Sequence, residues 1–287
     1  MITTRQSKPR FSVVIPTYHR NDLLAKCLDR LAPNVQTLAA DQYEVIVSDD
    51  GHESTAEDMI RESYPWVKWV AGPRKGPAAN RNNGAKYAQG EWLVFTDDDC
   101  LPDPQWLAAY AESTKGTALA LEGAIHPLGD LDRDMAECPV NMVGGYFWSA
   151  NIAVQRTLFD QIGGFDANYP VAAHEDQDLK LRIDNFTEII FVSDAIVVHP
   201  VRLISFKEAI NRIHIRSIAF AYHANKNKES LGYENIIKFI YRQYLFLGRV
   251  LLHELKGLRF KNALILIIKL ILGIPVSAFY FNKFLTN

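Results

Sequence analysis

The sequence predicts an α/β fold: a mostly parallel sheet flanked by helices, followed by a helical extension at the C-terminal end. Three observations predict it. Apolar runs rich in strand formers alternate with stretches of helical periodicity up to Gly123, the pattern of βαβ units joined by right-handed crossovers. Two of these runs end in carboxylates, Asp49-Asp50 and Asp97-Asp98-Asp99, and parallel strands bring such ends to one rim, where open α/β sheets hold their ligands. From Ser205 onward the strand pattern gives way to long amphipathic and apolar stretches laced with Lys and Arg.

Phe11–Ile15 reads as the first strand, halted by Pro16. Asn21 or Asp22 caps a helix whose Leu23, Leu24, Cys27, Leu28 and Leu31 recur at helical spacing. Tyr43–Val47 is the second strand, a capped helix runs from Ser54 to about Tyr64, and Val67–Val70 is a short strand. Gly76–Gln89 reads as a helix, Glu91–Thr96 as the central strand, Pro104–Ser113 as a helix and Leu119–Gly123 as a strand. Beyond these, the aromatic-to-aliphatic run Gly144–Val154 reads as a strand, and its glycines permit close backbone approach. His174–Leu179 opens a helix with acidic residues in its first turn, where the helix dipole favours them. Ile189–Val192 and Ala195–Val198 are two apolar runs ending at His199-Pro200.

At 287 residues and 48% hydrophobic content the chain has enough material for a large core. Cys27, Cys100 and Cys138 form an odd, scattered set without a CxxC pair, which argues against a disulfide framework or zinc site and fits a reducing compartment. No secretory signal pattern is expected at the N-terminus. The net charge of −2 conceals a split: residues 1–204 carry 18 basic and 29 acidic side chains, and residues 205–287 carry 13 and 4. This asymmetry suggests an acidic body, 1–204, and a basic tail, 205–287, with different partners. Basic residues lie among aliphatics rather than on an aromatic-laced face, so no nucleic-acid partner is expected.

Three adjacent carboxylates at a strand end form either a solvated acidic loop or half of a site for a divalent cation with hard oxygen ligands. Asp49-Asp50-Gly51 is equally a turn or a carboxylate rim able to accept from a nucleobase or ribose. Neither GxGxxG after strand one nor GxxxxGK[ST] anywhere is present, so a bound phosphate must be neutralised by metal and side chains. Arg81 is either a surface helix arginine or a fork donor to phosphate oxygens.

Val13–Arg20, Val47–Gly51, Arg81–Gly84, Gly90–Asp99, Gly163–Asp166 and Glu175–Leu179, in this order over roughly residues 11–200, resemble the family 2 glycosyltransferases, inverting enzymes of GT-A fold. The resemblance implies transfer of a sugar from a UDP-, GDP- or dTDP-linked donor to a hydroxyl of a glycan or lipid-linked acceptor, in polysaccharide or glycoconjugate synthesis. It implies that Asp50 contacts the nucleobase with Pro16, Thr17 and Tyr18 packed around the nucleotide. On the same resemblance Arg81, Asp97 and Asp98 are expected in the donor site, with Asp97 facing the ribose. The same resemblance implies that Asp99, completed by His199, holds Mn²⁺ or Mg²⁺ on the diphosphate, that Asp176 is the catalytic base and that Glu175 lies near the acceptor. His19 stands where the family often has Asn. A lone histidine before proline is otherwise an ordinary strand end. Trp148 is either a core aromatic or a platform for an acceptor sugar. Two rival readings are a sugar nucleotidyltransferase, which usually carries a glycine-rich basic loop where this chain has Pro16–Arg20, and a catalytically silent nucleotide- or glycan-binding module.

In the tail, Ser205 to about Asn225 and Asn235–Leu255 read as helices, and Ala263–Phe281 as an apolar stretch interrupted by Lys269 and Pro275. Flanked by Arg259, Lys261 and Lys283, that stretch reads as an interfacial or partly inserted anchor at the inner, anionic face of the cytoplasmic membrane. The alternative is a helical cap packed on protein.

Overall fold

The computed structural model describes residues 8–53 and 55–285. The chain runs through β1 (Phe11–Thr17), α1 (Asn21–Leu31), β2 (Tyr43–Asp49), α2 (Glu57–Ser63), β3 (Val67–Ala71) and α3 (Pro77–Lys86). It continues with β4 (Trp92–Thr96), β5 (Leu101–Pro102), α4 (Trp106–Ser113), β6 (Ala120–Leu128), β7 (Ala136–Glu137), β8 (Asn151–Gln155) and α5 (Arg156–Gln161). Then come α6 (Glu175–Ile183), β9 (Ile189–Pro200), β10 (Arg202–Leu203), α7 (Phe206–Lys226), α8 (Lys228–Leu231), α9 (Ile236–Lys256) and α10 (Phe260–Ile268). A π-turn, Lys269–Gly273, leads into α11 (Ile274–Leu285).

Two compact units emerge. The first holds the chain through Leu128, Pro139–Ala167 and Arg182–Pro200; the second holds Gly129–Cys138, Asn168–Leu181 and everything from Val201. The expected boundary at residue 204 lies close to the last crossing, but two earlier segments belong with the tail rather than with the acidic body.

The first unit is built on an eight-stranded mixed sheet of order β3-β2-β1-β4-β8-β6-β9-β5. β3, β2, β1 and β4 are parallel, β8 is antiparallel to both β4 and β6, and β9 is parallel to β6. It follows that β9 runs in the same direction as β1, β2 and β4, so its C-terminal end lies on the same rim as theirs. β1 is buried along its whole length and packs with β2, β4, α1 and α4 into one core that includes Phe11, Leu28, Val45, Val94, Trp106 and Tyr110.

Several boundaries differ from the sequence reading for local reasons. β1 continues through Pro16 to Thr17; pairing with β4 ends at Val14, so the missing proline N–H interrupts no ladder on that side. Arg20, not Asn21 or Asp22, occupies the N-cap of α1, and no side chain caps the helix. α2 begins at Glu57, and the capping assigned to Ser54 lies outside the described residues. α3 starts with Pro77 at N1 after Gly76, and α4 starts only at Trp106. The two apolar runs before His199 are one strand, β9, whose register against β6 shifts between Gly123 and Ala124.

The second unit is helical, with a two-stranded antiparallel ribbon of β7 and β10. Ser205 caps α7 by accepting from the Glu208 N–H at 3.1 Å, and Asn235 caps α9 by accepting from Lys238 N–H at 2.9 Å. Ala221, Ala224, Phe239, Ala278 and Phe281 form its core, with the Phe239 and Phe281 rings stacked at 4.5 Å. Asp134 accepts the N–H groups of Lys261 and Asn262 at the start of α10. Phe260–Phe284 is the one described segment long and apolar enough to cross a membrane, with a mean hydropathy of 2.3; 39% of its apolar window is buried within the protein.

Candidate active site

The strand ends of the first unit carry the site. β1 and β2 end in register, Thr17 opposite Asp49, and the Asn80 side chain of α3 ties them by donating to Ser48 O at 2.8 Å and Thr17 O at 3.3 Å. α3 lies close against β1: a Cβ on Gly84 would sit 2.5 Å from Val14 Cγ1, so only glycine permits this approach. That approach sets Arg81 beneath the rim, 5% exposed, with Nη2 2.7 Å from Asp97 Oδ1 and its guanidinium over the Phe165 ring at 5.5 Å. Burial alone would raise the Asp97 carboxyl; Arg81, His199 and Arg20 outweigh it and hold the group below the ordinary carboxylate value. Arg81, expected as a phosphate donor, is thus placed first as the partner of Asp97.

The three consecutive aspartates point to different places. Asp98 is fully buried, accepts from Thr17 Oγ1 at 2.7 Å and pairs with Arg20 Nη2 at 2.6 Å. It therefore faces inward, held by Arg20, with Thr17 turned toward it. Asp99 pairs through Oδ2 with Arg20 Nη1 at 3.0 Å and sets Oδ1 3.4 Å from His199 Nε2. His199 Nδ1 lies 2.9 Å from the Pro200 carbonyl, which fixes Nδ1 as the protonated nitrogen and turns the Nε2 lone pair toward Asp99. Burial keeps this imidazole below its ordinary pKa, against the raising influence of Pro200 O and Asp97. An imidazole lone pair and a carboxylate oxygen facing each other across 3.4 Å, both nearly buried, are two acceptors with room for a cation. This donor set fits a divalent ion completed by phosphate oxygens and water. Cys100 falls within the same cluster, but burial, reinforced by Asp97, raises its thiol well above the ordinary value, and it behaves as a small buried hydrophobe.

Asp50, 6% exposed, accepts backbone N–H groups from Arg74 at 2.8 Å and Gly76 at 3.2 Å, shaping the loop that leads into α3. Burial raises its carboxyl, and these amides pull in the opposite direction. Asp49 does similar work for Gly51 and Ala56, at 2.8 and 2.6 Å. Pro16 is buried within β1, whereas Tyr18 is 52% exposed at the rim. Tyr18 stacks on His52 at 5.8 Å, and His19 bridges to His52 with nitrogens 3.2 Å apart. His19 has φ of +53°, the left-handed region that Asn and His both tolerate better than most residues, which accounts for the histidine at this place.

The stretch Gly144–Ala150, expected as part of a strand, is a loop, and only Asn151–Gln155 pairs into the sheet. Buried Glu122 organises it by accepting the N–H groups of Gly145 and, at 2.8 Å, Phe147, and the Asn141 amide at 3.0 Å. A Cβ on Gly144, at φ +82°, would meet Phe191 Cβ at 2.8 Å. The loop presents Tyr146 and Trp148 as a stacked pair, rings 4.6 Å apart, with Trp148 half-buried. Arg20, Glu122 and Tyr146 had no role in the sequence reading. Spacing alone could not reveal them, because Arg20 and Glu122 act through partners 19 to 79 positions away and Tyr146 through a loop without periodicity.

In the second unit, Glu175 and Asp176 form the first turn of α6, Glu175 buried and Asp176 half-buried with Oδ1 accepting the Gln177 N–H at 2.8 Å. Asp178, fully buried, pairs with Lys226 Nζ at 2.8 Å and Asn227 Nδ2 at 3.2 Å.

The fold matches that of a solved mannosyltransferase and of TarS. A mannosyltransferase from Pyrobaculum calidifontis, solved with GDP-Man and Mn²⁺, superposes with a TM-score of 0.55 at 19% identity, covering 96% of this chain and 74% of that one. S. aureus TarS 1-349 in complex with UDP-GlcNAc gives 0.56 at 17% identity, covering 96% and 92%. The first unit with its mixed sheet is therefore a GT-A fold. Residues 12–118 match the model of Glycosyl transferase family 2, and validoxylamine A glucosyltransferase of Streptomyces hygroscopicus subsp. limoneus is 30% identical over 220 residues, 61% of this chain and 48% of that protein. Over residues 12–118 the chain is thus similar to glycosyltransferase family 2. It spans about half the length of the validoxylamine A glucosyltransferases it matches.

Proposed function

We propose that this chain is an inverting, metal-dependent glycosyltransferase that moves a sugar from a nucleoside diphosphate to a hydroxyl of a glycan or lipid-linked acceptor. The observation that carries the reading is the Asp99–His199 pair, two acceptors 3.4 Å apart at the rim where β1, β2, β4 and β9 all end. Asp99 and His199 would hold Mn²⁺ or Mg²⁺, which when bound offsets the charge gathering on the departing diphosphate. Asp97, held ionised by Arg81, accepts from the donor's ribose hydroxyls. Asp50 fixes the 72–76 loop over which the base lies, and Tyr18 offers it an exposed ring. The Tyr146–Trp148 pair supplies a flat apolar face of the kind that sugar rings stack on.

Asp176 takes the proton of the acceptor hydroxyl as that oxygen attacks the anomeric carbon. The diphosphate leaves from the opposite face of the sugar, so one displacement inverts the centre. The apolar, basic C-terminal helices hold the protein at the inner surface of the membrane.

The test is nucleotide release from a panel of UDP-, GDP- and dTDP-sugars with Mn²⁺, Mg²⁺ or EDTA. One donor is expected to hydrolyse slowly in a metal-dependent way, and Asp99→Ala is expected to abolish that dependence. Asp176→Asn should keep donor binding, seen as an unchanged thermal shift, while turnover onto an acceptor falls by about 10²–10⁴. Metal dependence surviving in Asp99→Ala removes the ligand assignment, and near-normal turnover in Asp176→Asn removes the base.

A further inference from the structure

The second unit contains a cavity of about 560 Å³, within the roughly 300–1,000 Å³ typical of small-molecule sites. Its lining holds three cations from three elements: Arg216 of α7, Arg242 of α9 and Lys269 of the π-turn between α10 and α11. No Asp or Glu side chain lines it among the described residues. Glu137, outside the lining, takes one Arg216 nitrogen at 3.3 Å; Arg242 donates to Leu231 O at 2.5 Å and lies over the Tyr233 ring at 5.6 Å. Three positive groups converging on one space without a lining carboxylate repel one another unless an anion sits between them. The π-turn has a part in this: it presents Lys269 and Gly273 to the same space, and a Cβ on Gly273 would press on Ser217 Oγ at 3.2 Å.

The rest of the wall is apolar, from Phe220, Phe246, Leu247 and Ile274. Phe246 is also 65% exposed, so this apolar wall opens to solvent beside α9. A free phosphate would leave that apolar surface in water. An amphiphile whose head meets the cations and whose chain follows Phe246 would cover both.

We propose that this cavity binds the phosphomonoester head of a lipid, with Arg216, Arg242 and Lys269 taking the phosphate oxygens and the hydrocarbon covering the apolar wall and leaving past Phe246. A phosphomonoester suits three cations better than a phosphodiester, because it carries about −1.5 to −2 charge and three strong acceptor oxygens. The proposal rests on the membrane-facing reading of the C-terminal helices and is independent of sugar transfer, so its test needs no donor.

The full chain is mixed with phosphatidylcholine vesicles containing either phosphatidic acid or phosphatidylglycerol, matched in surface charge, and the bound fraction is read by flotation. Binding is expected to be about tenfold tighter to the phosphatidic acid vesicles. Arg216→Gln/Arg242→Gln should abolish that preference. Arg249→Gln/Lys256→Gln, which removes the same charge from exposed positions outside the cavity, should weaken both vesicle types alike and keep the preference. Melting curves establish that both variants are folded. On the unaltered chain, short-chain phosphatidic acid below its micelle concentration should raise the melting temperature, and inorganic phosphate at the same concentration should not. Equal affinity for the two vesicle types overturns the proposal, as does loss of preference in the control variant. Inorganic phosphate matching the short-chain lipid shows a free-anion site instead and overturns the lipid assignment. Stabilisation by short-chain phosphatidic acid without binding to any vesicle supports the cavity and sinks the membrane-facing reading alone.

Discussion

Asp97 and Arg81 show how one pair can serve both fold and site. Arg81 is nearly buried and Asp97 is open enough to meet a ligand, so the arginine prepares the carboxylate from below. Removing the arginine leaves a partly buried carboxylate with less compensation, and Arg81→Met is expected to cost about 3 kcal/mol at neutral pH. The sign with pH follows from the depressed carboxyl of Asp97. Its pairing stabilises the fold above the ordinary carboxylate pKa, about 3.9, and that stabilisation is lost as pH falls through the lower folded value. The deficit of Arg81→Met should therefore be largest at pH 7 and shrink as pH falls through the carboxylate range. Urea midpoints of both proteins at several pH values test this, and a deficit independent of pH would place the arginine's contribution in packing on Phe165 instead. Legibility at this scale was uneven. The Asp run announced a charged rim, but the inward turn of Asp98 depends on Arg20 and Thr17, which no local spacing ties to it.

Elements were most legible where one periodicity ruled, as in α1, β2 and α7, and least where a buried polar group set the path. Gly144–Ala150 has the composition of a strand, but Glu122 captures its amides before they can join a ladder. The segment before α6 is another such case. His174, at φ +70°, stacks on His223 of α7 at 5.2 Å, and the Tyr169 hydroxyl lies 2.8 Å from His223 Nδ1. Burial lowers both imidazoles to about 4, His174 further through His223 and Arg216. Because the folded pKa lies below the unfolded 6.5, the unfolded chain binds the protons first, and stability present above pH 6.5 is lost as pH falls toward 4. For His223 alone that loss is about 3 kcal/mol. Carboxylates titrate near the lower end of this window, so the comparison is with His223→Gln, whose stability should fall less steeply between pH 6.5 and 4.5. Parallel slopes for the two proteins would show that the ring is protonated in the folded state already at pH 6.

Across the molecule, the charge split was visible in sequence, whereas the division into units was not. Gly129–Cys138 and Asn168–Leu181 are acidic or mixed in composition, yet they belong with the basic helices, because individual caps and ion pairs rather than the balance of charge along the chain decide their place. Asp134 at the start of α10 and Asp178 on Lys226 are the acids that anchor them. The same reasoning separates an interfacial anchor from a spanning helix in Phe260–Phe284. The segment is long enough to cross, but over a third of its apolar window is already covered by protein. Lys269 stands near its middle, where a charge at the bilayer centre costs about 3 kcal/mol, and a π-turn interrupts it there. An excess of nine positive charges over residues 205–287 favours an anionic surface instead. Membranes carrying the full chain should therefore release it on alkaline carbonate extraction, and high salt should release part of it by screening. Proteases added to sealed, inside-out vesicles should leave no protected fragment from this segment. Retention through carbonate together with a protected C-terminal fragment would show that the helix crosses, and would turn Lys269 from a surface-side cation into one held within the bilayer.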